Sequence, residues 1–258
     1  MLRALRELIV YRHVVTALVW RDLKARYRGS VFGFLWTFLN PVLLMAIYSL
    51  VFAVYMRVQI PAYPSFVFAG LLPWTWFSSA MLRGSNAIVE SGDLMKKVYF
   101  PPQILPTVVV ISTLVNFLLS LPLLLGFLLF SGVGFYWTLL TVPVLIGIQF
   151  LLTFALALGG AVLSARYRDV YHLLASVLTL WFFLTPVLYP ADWVPQRLRA
   201  VLLLNPMTPI TLAFQDAFYY HRWLDVPTLG TVVIFALAIL AGALWLLERW
   251  RWVLVEEV

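Results

Sequence analysis

Cysteine is absent from this 258-residue chain, which excludes disulfide bonds, thiolate chemistry and cysteine-ligated metal sites. Charge is scarce as well. Asp, Glu, Lys and Arg make up 11% of the residues, where a soluble domain carries roughly 25% to cover its surface. Hydrophobic residues reach 63%, more than a folded core absorbs, so the excess must face lipid. No GxxxxGK[ST] sequence occurs, which excludes ATP binding through a P-loop in this chain. The three histidines, His13, His172 and His221, are scattered and show no metal-ligand spacing. There is no nucleophile–base motif, and Glu90, Asp93 and Asp169 are too dispersed for a carboxylate-based membrane enzyme. A cleavable signal peptide is not expected, because scattered charges precede the first long apolar run.

What is present is a series of long charge-free windows. About 20 apolar residues cross the hydrocarbon as a helix, and on that measure an all-α membrane protein with six spans is expected. The first occupies residues 29–56, and the second lies between Arg57 and Arg83. The uncharged stretch from Lys97 to Arg166 is too long for one crossing and breaks at Ser131-Gly132-Val133-Gly134, giving spans at 104–130 and 136–164. The fifth lies between Asp169 and Asp192, the sixth between Asp225 and Glu248. None of these windows contains Asp, Glu, Lys or Arg, which disfavours a proton-coupled flippase, since such carriers use ionisable groups within the membrane. Residues 193–220 are apolar but divided at Asn205-Pro206, and read as two short helices that dip into the membrane or lie on it. Thr208-Pro209 reads as the N-cap of the second, with Pro at its first position.

The formal charge of +7 is distributed by side, which points to topology rather than to nucleic acid. Of the 18 Lys and Arg, only Arg57, Arg197, Arg199 and Arg222 fall on one side of this arrangement. The positive-inside rule then places both termini and the loops at 83–103 and 165–170 in the cytoplasm. The segment 11–28 reads as an interfacial amphipathic helix, with Arg21, Lys24 and Arg28 in one stripe, Trp20, Leu23 and Tyr27 facing away, and Asp22 and Arg26 as an i,i+4 pair. It is either a membrane anchor or a docking surface. The loop at 89–102 carries Glu90, Asp93, Lys96 and Lys97 and ends at Pro101-Pro102. It is either a polar connector or a helix that passes on a partner's movement.

Aromatic residues reach 16%. Along the first span Phe34, Phe38, Pro41, Met45, Tyr48, Phe52 and Tyr55 recur at alternating spacings of four and three, forming one stripe. Such a stripe is a packing surface or a track for sugar rings, which present apolar CH faces edged by hydroxyls. Trp74, Trp76 and Phe77 belong to an interfacial belt or to a pore lining.

The order of segments resembles the ABC-2 type permeases, and within them the subunits that export O antigen, capsule or teichoic acid. The resemblance rests on RDLKARYRGS (residues 21–30), GFLW (33–36), Asn40-Pro41, DLMKKVYFP (93–101), ARYRDV (165–170) and LNPMTP (204–209), spread over most of the chain. It implies one transmembrane domain over residues 1–258, in a bacterial inner membrane, forming a homodimer with a pore lined by spans one, two and five. The channel candidates are Phe34, Phe38, Tyr48, Phe52, Tyr55 and Trp74. It implies two copies of a separate ATPase, which supply ATP and Mg binding, so that this chain holds no cofactor. Arg21, Lys24, Arg28, Glu90, Asp93, Lys96 and Lys97 would contact that ATPase. Short helices within 190–225, with Trp193, Asn205, Pro206 and Pro209, would form an extracytoplasmic gate. The substrate implied is a lipid-linked polysaccharide of the O-antigen type. The alternatives are a permease for teichoic acid, capsule, a drug or a small lipid, or a membrane enzyme acting on polyprenyl-linked sugars.

Overall fold

The computed structural model describes residues 2–92, 94 and 100–256, and among these every regular element is helical. Helices α1 (Leu2–Val10) and α2 (Arg12–Tyr27) are joined at Tyr11. Helix α3 (Trp36–Ser49) is entered through a 3₁₀ turn at Gly33–Leu35 and continues as a π-helical segment over Leu50–Tyr55. Then follow α4 (Tyr63–Glu90), α5 (Ile104–Phe130), α6 (Val142–Arg166) and α7 (Asp169–Leu184). After these come the short α8 (Gln196–Leu203) and α9 (Met207–Gln215), and the long α10 (Val226–Glu256).

Among the described residues five stretches are long and apolar enough to cross a membrane: Gly33–Tyr55, Tyr63–Glu90, Ile104–Phe130, Trp137–Arg166 and Val226–Arg251. The expected fifth span is different. Helix α7 has 16 residues, about 24 Å at 1.5 Å per residue, short of the ~30 Å hydrocarbon. It stops at Leu184 because Thr185 precedes Pro186 and takes an extended conformation, with ψ 133°. The expected second boundary also moves. Arg83 does not end α4, which continues to Glu90, and the charge is met by Asp22 of α2 at 2.8 Å. The break between α5 and α6 falls where expected, with Gly132 and Gly134 both at positive φ.

Helix α4 is the centre of the bundle. Of its most apolar 18 residues 78% are buried, against 11% for Gly33–Tyr55. It packs on α3, α5, α6 and α9, while α10 lies along α6. The α4–α6 crossing is made by small residues. A Cβ on Gly84 would meet the Cβ of Ala157 at 2.9 Å, and one on Gly160 would meet that of Ser85 at 2.9 Å.

Buried amides hold the irregular backbone. Gln149 of α6 donates to the Pro73 carbonyl at 2.7 Å, and Gln215 of α9 donates to the Pro186 carbonyl at 2.9 Å. Asn205 donates to Thr185 Oγ1 at 2.6 Å and accepts from the Met207 N–H at 3.0 Å. Such bonds replace the water a membrane interior lacks. They also correct the expected start of α9. The helix begins at Met207 with its first N–H bonded to Asn205, and Thr208 is an interior residue, 1% exposed.

Candidate functional site

The middle of the expected aromatic stripe lies on the inner face of the first span, while Phe34 at its start and Tyr55 at its end are exposed. Met45 is 4% exposed. Tyr48 packs on Phe182 of α7 with ring centroids 5.6 Å apart, and Phe52 stacks on Tyr63 of α4 at 6.3 Å. Phe34 and Phe38 contact each other edge to face at 5.3 Å, and Tyr55 is exposed at the far end. The outward face is aliphatic: Leu43, Ile47, Leu50 and Val54, at spacings of four, three and four, are all largely exposed. Met45 is thus part of the core, and Phe52 is partly buried against α4.

Tyr48 and Trp74 are brought together. An open groove of about 510 Å³ runs between α3, α4 and α7, lined by both of them and by Phe182. Trp74 approaches Phe182 at 5.7 Å, so one ring of α7 joins the two predicted residues. Hydroxyls of Thr75, Ser78 and Ser79 on α4 and of Thr179 on α7 edge the same groove. The Thr75 hydroxyl donates to the Leu72 carbonyl at 2.9 Å, which leaves its oxygen as an acceptor. Among the described residues no charged side chain lines this groove. The arrangement offers flat apolar faces beside hydroxyl groups, suited to weak, exchangeable contact with a sugar chain. Sequence reasoning missed Phe182. Its signal was a second aromatic run, Trp181-Phe182-Phe183, in a segment read only as a span.

The polar end of the bundle gathers the basic segment. Helix α2 packs Val15 and Val19 against α5. Arg21, Lys24 and Arg28 are exposed, as expected, but Trp20 stands beside them, 60% exposed, rather than on the buried face. At 100° per residue Trp20 lies only one step of 40° from Lys24, and the buried face is centred on Val15 and Val19. Asp22 accepts from Arg26 at 3.0 Å and from Arg83 at 2.8 Å, which ties α2 to α4. A cleft of about 210 Å³ beside this pair is lined by Arg21, Asp22, Arg83 and Glu90, so two of the predicted coupling residues share one cleft. Glu90 accepts from Asn86 at 2.8 Å. Asp93, Lys96 and Lys97 lie outside the described residues. Nearby, Arg251 of α10 pairs with Glu7 of α1 at 2.8 Å.

The predicted gate residues separate. Asn205 is 1% exposed and pins the α8–α9 break to α7, as above, so it is a structural anchor. Trp193 is 56% exposed. Pro206 and Pro209 border a different hollow, between α9 and α10. Beyond α9, Asp216 is partly buried. Burial pushes its carboxyl above the ordinary range, the Arg222 guanidinium opposes that, and Asp225 adds to it. Among the described residues no cluster of His, Asp or Glu forms a metal site.

A family model described as "ABC-2 type transporter" matches residues 13–219. An "O-antigen export system permease protein RfbA" of Myxococcus xanthus is 44% identical over 260 residues, 100% of this chain and 100% of that protein. A protein of the same name from Klebsiella pneumoniae is 32% identical over 200 residues, 77% of each chain. The "Polysialic acid transport protein KpsM" of Escherichia coli is 25% identical over 217 residues, 81% of this chain and 82% of that one.

Proposed function

The chain belongs to the ABC-2 type transporter family, and from that premise we propose that it is the permease subunit of an ATP-driven exporter of a lipid-linked polysaccharide. The relatives' names, two for O antigen and one for polysialic acid, support polysaccharide as the cargo class. The observation that carries the reading furthest is the uncharged groove of Tyr48, Trp74 and Phe182 edged by hydroxyls. A polymer moves along such a wall by breaking and remaking weak contacts, where charged walls would hold anionic repeats or repel them.

In this reading the protein spans a bacterial inner membrane, with both termini cytoplasmic according to the Lys and Arg distribution. Helix α7, extended by residues 185–190, supplies a sixth crossing. Two copies enclose the channel, and two copies of a separate ATPase bind below, against Arg21, Lys24, Arg28, Glu90 and the 93–97 segment. The permease performs no chemistry of its own, and ATP and Mg belong to the partner. Residues 190–225 form the extracytoplasmic closure, with Trp193 at its surface.

The test is export of a lipid-linked glycan by the chain reconstituted with its neighbouring ATPase in vesicles. ATP-dependent export is expected, and Tyr48→Ala should slow it by about three- to tenfold, the size of one lost aromatic contact. If ATPase and permease do not associate, or the glycan stays outside whatever the ATP supply, the exporter reading fails.

A further inference from the structure

The 93–97 segment lies between Glu90, the last residue of α4, and Pro101, just before α5. Each flank is tied to a different helix. On the α4 side Arg83 donates to Asp22 of α2 at 2.8 Å. On the α5 side the backbone is stiff, because Pro101 and Pro102 have fixed φ. Their carbonyls accept from the N–H groups of Ile104 and Leu105 at 3.1 and 3.2 Å. Gln103 follows them, 1% exposed, and its Nε2 donates to Glu7 Oε2 of α1 at 2.7 Å. The other carboxylate oxygen of Glu7 accepts from Arg251 Nη2 of α10 at 2.8 Å. The Glu7 and Arg251 side chains are only 17% and 14% exposed, and Glu248 of α10 stands 3.7 Å from Arg251 Nη1. Leu8, next to Glu7, packs against both the main core and the cluster that α2 forms with α5. One carboxylate thus grips the start of α5 and the far part of α10 through two charge-assisted bonds, which are the short, directional kind. Helix α10 has 31 residues, about 46 Å at 1.5 Å per residue, and lies along α6. It reaches from this junction to the opposite end of the bundle. There its first turn, at Pro227 and Thr228, borders the same hollow as Pro206 and Pro209.

We propose that Glu7 is a positioning residue for export. It makes α10 move with the start of α5, so that displacement of the 93–97 segment by the ATPase reaches the extracytoplasmic closure along α10. Glu7 touches neither ATP nor glycan; it acts through Gln103 and Arg251. The proposal rests on the exporter reading and adds to it a path for the movement.

The full chain is reconstituted with its neighbouring ATPase in vesicles, and ATP hydrolysis and glycan export are measured together. Glu7→Ala removes both bonds. It should lower the glycan exported per ATP by about three- to tenfold, the scale on which such joints modulate coupling, while hydrolysis continues. Gln103→Leu cuts the link to α5, leaves the Glu7–Arg251 pair in place, and should lower the ratio as well. A carboxylate that merely fastened α1 to the bundle would not respond to that change. The exchange of Glu7→Gln together with Gln103→Glu keeps an amide–carboxylate bond between the two positions and a carbonyl oxygen for Arg251, and should restore the ratio. Because the chain lacks cysteine, Val226→Cys, 70% exposed at the start of α10, takes a fluorophore before the ATPase is added. Its emission should change when ATP is trapped with vanadate, and Gln103→Leu should abolish that change. The proposal is overturned by a normal ratio in Gln103→Leu, by an exchange that restores nothing, or by an emission change that survives Gln103→Leu or never occurs. Should Glu7→Ala fail to fold, Gln103→Leu and the exchange still decide. A wild-type complex that does not assemble, or exports nothing, sinks the exporter reading instead.

Discussion

Phe182 is the residue that joins Tyr48 to Trp74, with centroid distances of 5.6 and 5.7 Å. Phe182→Ala should therefore cost more than loss of one ring contact, because both partners lose their neighbour. Export measured in vesicles is expected to fall by about tenfold or more, with Phe182→Leu keeping the fold and most of the volume but not the aromatic face. Asp216 permits a prediction about acidity. Its folded carboxyl titrates above the ordinary range because burial disfavours the charged form. A carboxyl shifted in that direction contributes its full stability below the unfolded-state value, about 3.9, and loses it as the pH rises through the higher folded value. Asp216→Asn should accordingly raise the melting temperature at pH 7, and that gain should shrink toward pH 4. A gain independent of pH would show that desolvation of the charge is not the cause. The packing of Phe182 on Tyr48 and the burial of Asp216 were not legible in the sequence, since neither a contact across 134 positions nor a residue's depth has a local signal; the aromatic run at 181–183 showed only that rings were there.

At the level of elements, α4 and α6 meet through small residues, and neighbouring glycines of α6 make a matched comparison. A Cβ at Gly160 would sit 2.9 Å from Ser85 Cβ, but one at Gly159 would lie 3.6 Å from Ala243 Cβ, an ordinary contact. Gly→Ala in a helix gains up to about 1 kcal/mol from backbone propensity. Gly159→Ala should hold or raise the unfolding midpoint, and Gly160→Ala should lower it by forcing the helices apart, by about 1–3 kcal/mol; chemical unfolding in detergent measures both. Helix α2 depends on charge instead. Asp22 joins Arg26 and Arg83, and with Arg83 more than a third exposed the bond is worth at most about 1 kcal/mol. Asp22→Asn should thus leave the fold intact while loosening α2 from α4. In the reconstituted complex we expect ATP hydrolysis to continue with less glycan exported per ATP, and an unchanged ratio would remove α2 from the coupling path. The i,i+4 pairing of Asp22 with Arg26 was readable from spacing alone, whereas the bond to Arg83 is a tertiary fact. The same contrast holds for the ends of helices. The double glycine after α5 was legible because positive φ is a local property, but the early stop of α7 at Thr185 was hidden inside an apolar run that hydropathy reads as one span.

For the whole molecule, the aliphatic ridge Leu43, Ile47, Leu50 and Val54 on α3 faces outward, and the homodimer reading places a second copy against it. The absence of cysteine makes this directly measurable. Ile47→Cys, 55% exposed, should give a disulfide-linked dimer on mild oxidation in membranes, and Trp245→Cys, 59% exposed on the far helix α10, should not. Cross-linking at neither position would remove the α3 interface. Composition by itself determined that this is a multi-pass helical membrane protein, because the solvent a chain faces is set by how much apolar surface it must hide, and that is a sum over residues. The order of its motifs determined the family. Neither composition nor motif order determined which face of α3 is buried, that helix α7 stops at Leu184 after 16 residues, or that Asn205 is an anchor. Those were decided by packing: a stripe of period 3.6 has the same pattern whether it meets lipid, a pore or a neighbouring helix, and only the position of α4 and α7 beside it settles which.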